Sequence, residues 1–535
     1  MTRPRSSSES DRSSREATDE TPLLNQGSTQ SPIKPQSISW ASLPRKGQLA
    51  VIVFARLAEP LSERSLTSYI FYQLQWFDPT LEASEIAKQA GYMTAVFAAA
   101  QCLTSMWWGR AADSPRLGRK RVLVLGLTGS AISALGMGFS RSFRMALFFR
   151  FLAGALNGNV GVLRTMVSEV VEDKRYRPRA FLLLPMCFNI GVIIGPLISG
   201  FLADPLGSFS QKDVPRANGV QWLIDFPYAL PNLFFATVLG TAALVVILGL
   251  DETHPQRKSR PDRGRRLGKL LMRRSLRLEY PDSSGYAILP SSINEASDAH
   301  VEGRQAPVPK AGPRPGFRGI LTKNVGLIML QRFLQSLHTS AFNSIFFSLL
   351  PAPRSENSNF HPLFRFTGGL GLSSKRIGFA NTTIGMLGIP LQLFLYPRLI
   401  TVLGARKSYL QFLPLSIVAY CLTPYLVLLP DNIGVIWVCL SAVLALQVMS
   451  RTFVNPATIL LVNESAPSPA LLGTVHGVAS SISSAARILG PTVGGTTLGW
   501  GLSHNFVGLP LWCLALLAVV NWVVLLWVED VGVVG

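Results

Sequence analysis

Charged residues are scarce in this chain of 535 residues. Asp, Glu, Lys and Arg make up 15% of it, whereas a soluble domain usually carries about 25%. The charges cluster in short segments between long apolar runs, and 48% of all residues are hydrophobic. This distribution excludes an ordinary soluble domain and predicts a polytopic membrane protein. The net charge of +20 does not indicate a nucleic-acid partner, because the basic residues flank apolar runs and form no solvated domain.

Cysteine is sparse as well. The five cysteines show no C-x-x-C spacing and all lie within apolar runs, at Cys102, Cys187, Cys421, Cys439 and Cys513. The sequence therefore predicts neither a metal site nor a disulfide framework. It also offers no pairing of a nucleophile with a base, so we expect no cofactor and no enzyme activity. The first 46 residues are polar, which predicts a disordered tail and no cleavable signal peptide.

Twelve apolar runs are long enough to cross a bilayer as helices. They lie at roughly 48–74, 88–109, 121–140, 144–168, 179–203, 227–250, 324–350, 376–402, 407–430, 433–460, 470–499 and 506–528. The predicted fold is an all-α membrane protein with twelve transmembrane helices in two six-helix halves. The predicted domains are a tail at 1–46, a first half at 47–250, a basic linker at 251–318 and a second half at 319–535.

The two halves look like copies of each other. Arg164-Thr165 in the fourth span has a counterpart in Arg451-Thr452 of the tenth, and Gly195-Pro196 in the fifth has one in Gly490-Pro491 of the eleventh. Many secondary transporters are built from such repeats, with the substrate site between them.

Basic residues predict the orientation of the spans. Lys and Arg are more frequent in the loops on the same side as the N-terminal tail, so both termini are expected in the cytoplasm. The linker begins with RGRRLGKLLMRRSLRLEY. This stretch either forms a basic helix on the anionic inner leaflet or is a disordered basic segment.

A short charged segment joins the second and third spans. This signature loop, residues 108–121, reads WGRAADSPRLGRKR, with its motif positions at Gly109, Asp113, Gly118, Arg119 and Lys120. It resembles the signature of the major facilitator superfamily, G-x-x-x-D-(R)-x-G-R-K/R, although four residues rather than two separate Asp113 from Gly118. The resemblance implies a cytoplasmic gating loop. We expect Glu169, at the inner end of the fourth span, to pair with Arg119 or Lys120.

The fourth span carries Arg150-x-x-x-Gly154-x-x-x-Gly158. On a continuous helix these residues share one face, where the glycines allow a neighbour to approach and the Arg must face the protein interior. The pattern resembles the family's second motif, whose Arg is linked to proton coupling. A purely structural Arg is the alternative.

The fifth span carries a second resemblance, to the family's antiporter motif G-x-x-x-G-P-x-x-x-G. Its positions here are Gly191, Gly195, Pro196 and Gly200. Small residues allow close packing, and the proline permits a bend, which together favour a tight but mobile seam. The motif implies antiport rather than uptake.

The first span places Arg56, Glu59 and Glu63 on one helical face. Burial favours a neutral carboxyl group and a nearby Arg favours a charged one, so Glu59 either carries a proton or forms a permanent pair with Arg56. The stretch ARLAEPLS resembles a fungal branch of the drug:proton antiporters, which is similar to the zinc-induced-facilitator-like and tetracycline-resistance-like carriers. Asn157, Asn159 and Arg164 share that resemblance.

The second half has its own polar groups deep in apolar spans, and ionisable groups in that setting are functional candidates. They are Arg332, His338, Gln447, Arg451 and Arg487. His338 either titrates near physiological pH or only bonds a neighbouring backbone.

Together the residues and the resemblance predict a secondary transporter that exchanges protons for a small organic solute by alternating access. We expect it to work as a monomer in the bilayer. The alternatives are a non-transporting sensor on the same fold and a membrane enzyme. The tail contains DETPLL, which resembles the acidic dileucine sorting signal. Leu23 and Leu24 therefore predict a sorting-adaptor contact and the vacuolar membrane, with the plasma membrane as the alternative.

Overall fold

The computed structural model describes residues 43–171, 173, 176–204, 221–254, 256–258, 261–276, 322–355, 364–465 and 472–529. Most of this part of the chain is helical. The isolated β-bridge between Phe366 and Phe506 joins two loops of the second half.

The first six spans are numbered here in chain order. In that order they are Lys46–Ser65 with Leu66–Ser68 and Ile70–Phe77; Ala83–Asp113; Gly118–Gly138; Phe143–Leu156 with Asn159–Val170; Arg177–Leu202; and Ala229–Gly249. A short helix, Gln221–Asp225, precedes the sixth span, and the helix Arg263–Leu276, called the linker helix below, follows it.

The second half repeats this arrangement. Its spans, seven to twelve, are Lys323–Leu349; Ser374–Pro390 with Leu391–Leu395 and the start of Tyr396–Leu422; the rest of Tyr396–Leu422 with Thr423–Leu428; Ile433–Glu464; Leu472–Ser503; and Gly508–Leu526. Gly404 separates the eighth and ninth spans because its φ of 74° interrupts the helix. Only glycine adopts that left-handed conformation at little cost.

Eight helical segments of the described chain are long and apolar enough to cross a membrane by length and composition. The first, second, seventh and eleventh spans are the more polar ones. The second and seventh pack against the eleventh, and the first packs against the fifth. Polar helices are tolerated in a bilayer when they pack inside the protein. The predicted all-α fold of twelve membrane helices is confirmed.

The fourth span is not the continuous helix that the sequence predicted. It ends as a regular helix at Leu156 and starts again at Asn159. The first span is interrupted in the same way, between Leu66 and Tyr69. A broken helix leaves backbone groups without helical partners, so such breaks are tolerated within a membrane only where protein or a cavity surrounds them.

The two halves meet where glycines allow backbones to touch. A Cβ built on Gly495 of the eleventh span would lie 2.7 Å from the carbonyl oxygen of Ala87 in the second. A Cβ on Gly378 of the eighth span would lie 2.8 Å from the carbonyl oxygen of Pro196 in the fifth. A larger side chain at either glycine would force the halves apart.

These contacts lie at the end of the molecule away from the signature loop. Ser84, Ala87 and Gly91 of the second span are buried against the eleventh. Gly109 lies about five helical turns further along the same face, yet it is exposed and a Cβ there would have no atom within 4 Å. The halves are therefore closed at one end and apart at the signature-loop end.

Candidate functional site

A cavity lies inside the first half, between the first, second, third, fourth and sixth spans. Its charged and amide-bearing lining residues are Glu59, Glu63, Arg150, Asn157 and Asn232, and its aromatic ones are Tyr69, Phe97 and Phe149. Three of the residues singled out in the sequence as ionisable candidates thus face the same space.

Glu59 is the most deeply buried acid of this cavity, with 5% of its surface exposed. One carboxylate oxygen lies 3.3 Å from an Arg56 guanidinium nitrogen. The other accepts a hydrogen bond from the side-chain amide of Asn159. Both partners are donors, so the arrangement satisfies a charged carboxylate and not a protonated one.

The break in the fourth span places Asn159 in this position. Asn159 is the first residue of the helix that follows the break, and its side chain is fully buried. A Cβ at Gly126 of the third span would lie 2.1 Å from its side-chain oxygen, so the absence of a side chain there makes room for the amide.

Arg150 lines the same cavity from the fourth span. Its Nε donates to the carbonyl oxygen of Met93 at 3.4 Å, and its guanidinium lies 4.5 Å from the centre of the Phe97 ring. The sequence predicted that Arg150 faces the protein interior, and there the structure provides a carbonyl and an aromatic face. Glu63 forms an ion pair with a different arginine: one of its carboxylate oxygens lies 3.5 Å from a guanidinium nitrogen of Arg64.

The glycines of the fourth-span motif bring the second span close. A Cβ on Gly154 would lie 2.3 Å from the carbonyl oxygen of Phe97, and one on Gly158 would lie 2.3 Å from Cβ of Trp108. Both glycines thus pack on the second span although the helix breaks between them.

The antiporter motif of the fifth span faces two helices. A Cβ on Gly191 would lie 2.7 Å from Pro60 in the first span, and one on Gly200 would lie 2.6 Å from the carbonyl oxygen of Ser374 in the eighth. The carbonyl of Pro196 accepts a hydrogen bond from the Ser68 hydroxyl at 2.7 Å. The motif therefore joins the first span to the second half.

The signature loop is tighter than the sequence predicted. The second span continues as a helix to Asp113, and the third begins at Gly118, so residues 114–117 alone make the turn. Arg119 contacts Glu169, as the sequence predicted, and lies 3.7 Å from Asp113. The Asp113 side chain is 73% exposed.

Glu252, which sequence reasoning missed, holds the start of the third span. Its carboxylate accepts hydrogen bonds from the backbone N–H groups of Arg119 at 3.1 Å and Lys120 at 3.3 Å. An acid is favourable there because a helix N-terminus presents free N–H groups and a partial positive charge. Gly118, with φ of 75°, makes room, since a Cβ would lie 2.5 Å from the Glu252 carboxylate.

The start of the linker also contacts the turn of the signature loop. A ring nitrogen of His254 lies 3.0 Å from the carbonyl oxygen of Asp113, and Arg257 donates to the carbonyl of Arg116. Lys120 forms an ion pair with Asp262 at 2.5 Å. Burial opposes the charge of Asp262, but the hydrogen bond and charge of Lys120 outweigh it and hold the pKa of Asp262 below its usual range. The pair therefore persists at neutral and mildly acidic pH.

His338 in the seventh span belongs to a buried network of side chains. One ring nitrogen lies 2.9 Å from the Tyr420 hydroxyl and the other lies 3.0 Å from the side-chain oxygen of Gln335. Asn521 and Tyr409 also donate to Gln335. The network joins the seventh, ninth and twelfth spans. Both ring nitrogens of His338 contact side chains and not a neighbouring backbone.

Gln447 of the tenth span extends this network, because it donates to the Tyr420 hydroxyl at 3.4 Å. The arginine candidates of the second half are dispersed. Arg332 donates to Ser483 at 2.8 Å and Arg451 donates to Asn343 at 3.2 Å. Arg487 lies midway along the eleventh span, where its side chain is exposed and donates to the Ser484 hydroxyl at 3.3 Å. Arg164 is exposed as well. Within the described ranges, no group of three His, Cys, Asp or Glu residues is placed to hold a metal ion.

Comparison with known proteins matches residues 66–491 to the family model described as Major Facilitator Superfamily. The chain is similar to the Major facilitator superfamily multidrug transporter mfsB of Aspergillus fumigatus, with 32% identity over 519 residues, 92% of this chain and 84% of that protein. It is similar to Protein ZINC INDUCED FACILITATOR 1 of Arabidopsis thaliana, with 26% identity over 85% of this chain and 84% of that one. The crystal structure of the human organic anion transporter MFSD10 has the same fold, with a TM-score of 0.54 and 19% identity over 90% of this chain and 99% of that one.

Proposed function

The chain belongs to the Major Facilitator Superfamily, and on that basis we propose that it exchanges protons for a small organic solute by alternating access. Membership confirms the family that the motifs resemble, and it makes the protein a transporter rather than an enzyme. The name of its relative mfsB, a multidrug transporter, supports an organic solute as the cargo.

The observation that carries the proposal is the environment of Glu59. Its two oxygens face two donors, Arg56 and Asn159, beside a cavity within the membrane part of the protein. Protonation places an O–H against one of these donors, so the Arg56 contact or the Asn159 contact has to break or rearrange. Arg56 lies on the first span with Glu59, whereas Asn159 lies on the fourth, so loss of the Asn159 contact changes how the first span is held to the fourth. Such a change is the coupling that a proton-driven carrier requires.

The packing of the two halves supports alternating access. They touch at one end through Gly91, Gly495 and their neighbours, and they are apart at Gly109. Closing the second end and opening the first would expose the interior to the other side of the membrane. Secondary transporters with paired repeats move substrates in this way.

The test uses the purified full chain in proteoliposomes that contain a pH-sensitive dye. A panel of drugs and metabolites is added on one side, and antiport predicts that one of them dissipates an imposed pH gradient while it moves against the proton flux. Solute flux that ignores the gradient would contradict proton coupling. Specific binding of a panel compound without any flux would instead favour the sensor.

The same proposal includes the placement and assembly of the protein. Both termini and the signature loop lie in the cytoplasm, the linker joins the halves at 251–318, and the protein works as a monomer. A sorting adaptor binds Leu23 and Leu24, which lie outside the described residues, and directs the protein to the vacuolar membrane.

A further inference from the structure

The linker helix lies against the end of the sixth span. A Cβ on Gly264 would lie 2.6 Å from the carbonyl oxygen of Ile247, and one on Gly268 would lie 2.1 Å from that of Leu248. These two glycines are one helical turn apart, so they form a flat strip on which the backbones touch. Because the sixth span ends at Gly249, the helix lies at the level where the chain leaves the membrane.

The exposed surface of the linker helix combines cations with leucines. It carries Arg263, Arg266, Leu267, Lys269, Leu270 and Leu271, of which Leu271 lies beside the glycine strip. Leu270 is 62% exposed and Leu267 is 52% exposed. The helix sequence, RGRRLGKLLMRRSL, contains no acidic residue. Exposed leucines among cations at the level of a membrane surface are the features of a helix that lies in the lipid interface.

We propose that this face of the linker helix binds the anionic headgroups of the membrane surface, with its leucines in the acyl boundary and its cations on lipid phosphates and carboxylates. Charge complementarity selects an acidic partner, and the leucines beside a span terminus select lipid over an acidic protein. The biological side of the contact, the cytoplasmic leaflet, rests on the proposed orientation. Binding itself does not depend on that orientation.

One carboxylate connects this surface to the signature loop. An oxygen of Asp262 accepts from the backbone N–H groups of Gly264 at 2.9 Å and Arg265 at 3.3 Å, which caps the linker helix. The other oxygen lies 2.5 Å from Nζ of Lys120. A helix seated on lipid therefore holds Asp262 in place, and Asp262 holds the start of the third span. Anionic lipid stabilises the signature loop through this link.

Hydrogen exchange of the full chain in nanodiscs tests both parts. Phosphatidylcholine discs are compared with discs that also contain phosphatidylserine in both leaflets. We expect the amides of 265–276 and of 114–121 to exchange roughly threefold or more slowly with phosphatidylserine, and the difference to shrink at high salt. Equal exchange in the two lipids would overturn the proposal. No transported solute is needed, so failure here is separate from failure of the antiport proposal.

The variant Arg263→Gln/Arg266→Gln/Lys269→Gln should lose the lipid dependence in both segments. The matched control neutralises three exposed cations at the opposite end of the molecule, Arg144→Gln/Lys375→Gln/Arg376→Gln, and should keep it. If the first variant does not fold, the salt dependence of the wild-type chain still decides the outcome.

The variant Asp262→Asn separates binding from transmission. We expect phosphatidylserine still to slow exchange in the linker helix but no longer at 114–121. Continued protection of the loop would overturn the role of the carboxylate. Poly-glutamate added to phosphatidylcholine discs is a further arm, and protection equal to that by phosphatidylserine would assign the surface to an acidic polymer and overturn the lipid proposal.

Discussion

Glu59→Gln separates proton carriage from a permanent ion pair. Gln has one acceptor and one donor group, as a protonated carboxyl does, and both native partners, Arg56 and Asn159, are donors. The variant therefore imitates the protonated state and cannot leave it. If Glu59 carries the proton, solute binding and passive exchange survive, whereas accumulation driven by a pH gradient is lost.

The Arg56–Glu59 distance sets the expected loss of stability, and the number of protons per solute sets the expected loss of accumulation. At 3.3 Å between Arg56 and Glu59, the attraction is on the order of 5 kcal/mol at an effective dielectric constant of about 20. Removing one member of a buried pair costs about 3–5 kcal/mol when the pair is needed for stability. For transport, one pH unit is worth about 1.4 kcal/mol per proton, or about tenfold accumulation for one proton per solute. The variant should accumulate none.

The assay measures uptake with and without a pH gradient, and counterflow of labelled solute at equal pH, in proteoliposomes. Thermal unfolding of the purified variants is the control. Gradient-driven uptake equal to wild type by a well-folded Glu59→Gln protein would refute proton carriage. A large loss of stability that Arg56→Gln/Glu59→Gln partly restores would show instead that Glu59 serves as the partner of Arg56.

Three further predictions concern the signature loop, the N-terminal tail and the close contact of the two halves at Gly495. Arg119→Ala removes the cation that Asp113 and Glu169 share at the signature loop. We expect normal abundance and about tenfold slower turnover, which corresponds to a change of about 1.4 kcal/mol between the two states of the carrier. Unchanged turnover in a flux assay would contradict the gating role. Leu23→Ala/Leu24→Ala should redirect a fluorescently tagged copy to the cell surface, and the sorting role is wrong if the tagged wild type is already there. Gly495→Leu should destabilise the closed end by about 1–3 kcal/mol through overpacking. Gly477→Leu, where a Cβ meets no atom within 4 Å, should leave the melting temperature nearly unchanged. Equal melting temperatures of the two variants would refute the close packing of the halves at Gly495.

Hydropathy located all twelve spans. Eight helical segments of the described chain are long and apolar enough to cross a bilayer by those criteria alone, and the four more polar spans still form apolar runs between charged loops. Hydropathy could not locate their interruptions, since Asn157 and Gly158 lie within a run that stays apolar on average. The Asn-Gly dipeptide was an available signal, because it favours turns. The break at this dipeptide brings Asn159 to Glu59. Because the turn was missed, one of the two partners of the carboxylate was missed as well.

Some pairs formed by the fold were predictable and others were not. Arg119 and Glu169 both lie at the inner ends of predicted spans, which suggested that they meet. Glu252 lies after the end of the sixth span and approaches the start of the third, and no motif indicated that contact. The same holds for His338, whose partners Tyr420 and Gln335 form a network only when three spans pack together. Periodicity assigns residues to a face and leaves open which helix meets that face.

The position of the close glycine contacts has a mechanical consequence. Gly91 lies at the packed end of the second span and Gly109 at the free end, about 27 Å apart at 1.5 Å per residue. The packed end acts as a fulcrum and the rest of the helix as a lever arm, so a tilt of about 10° moves the free end by about 5 Å over that length. A small displacement at the packed end is thereby enlarged at the signature loop. The largest movement therefore occurs where the passage has to open and shut.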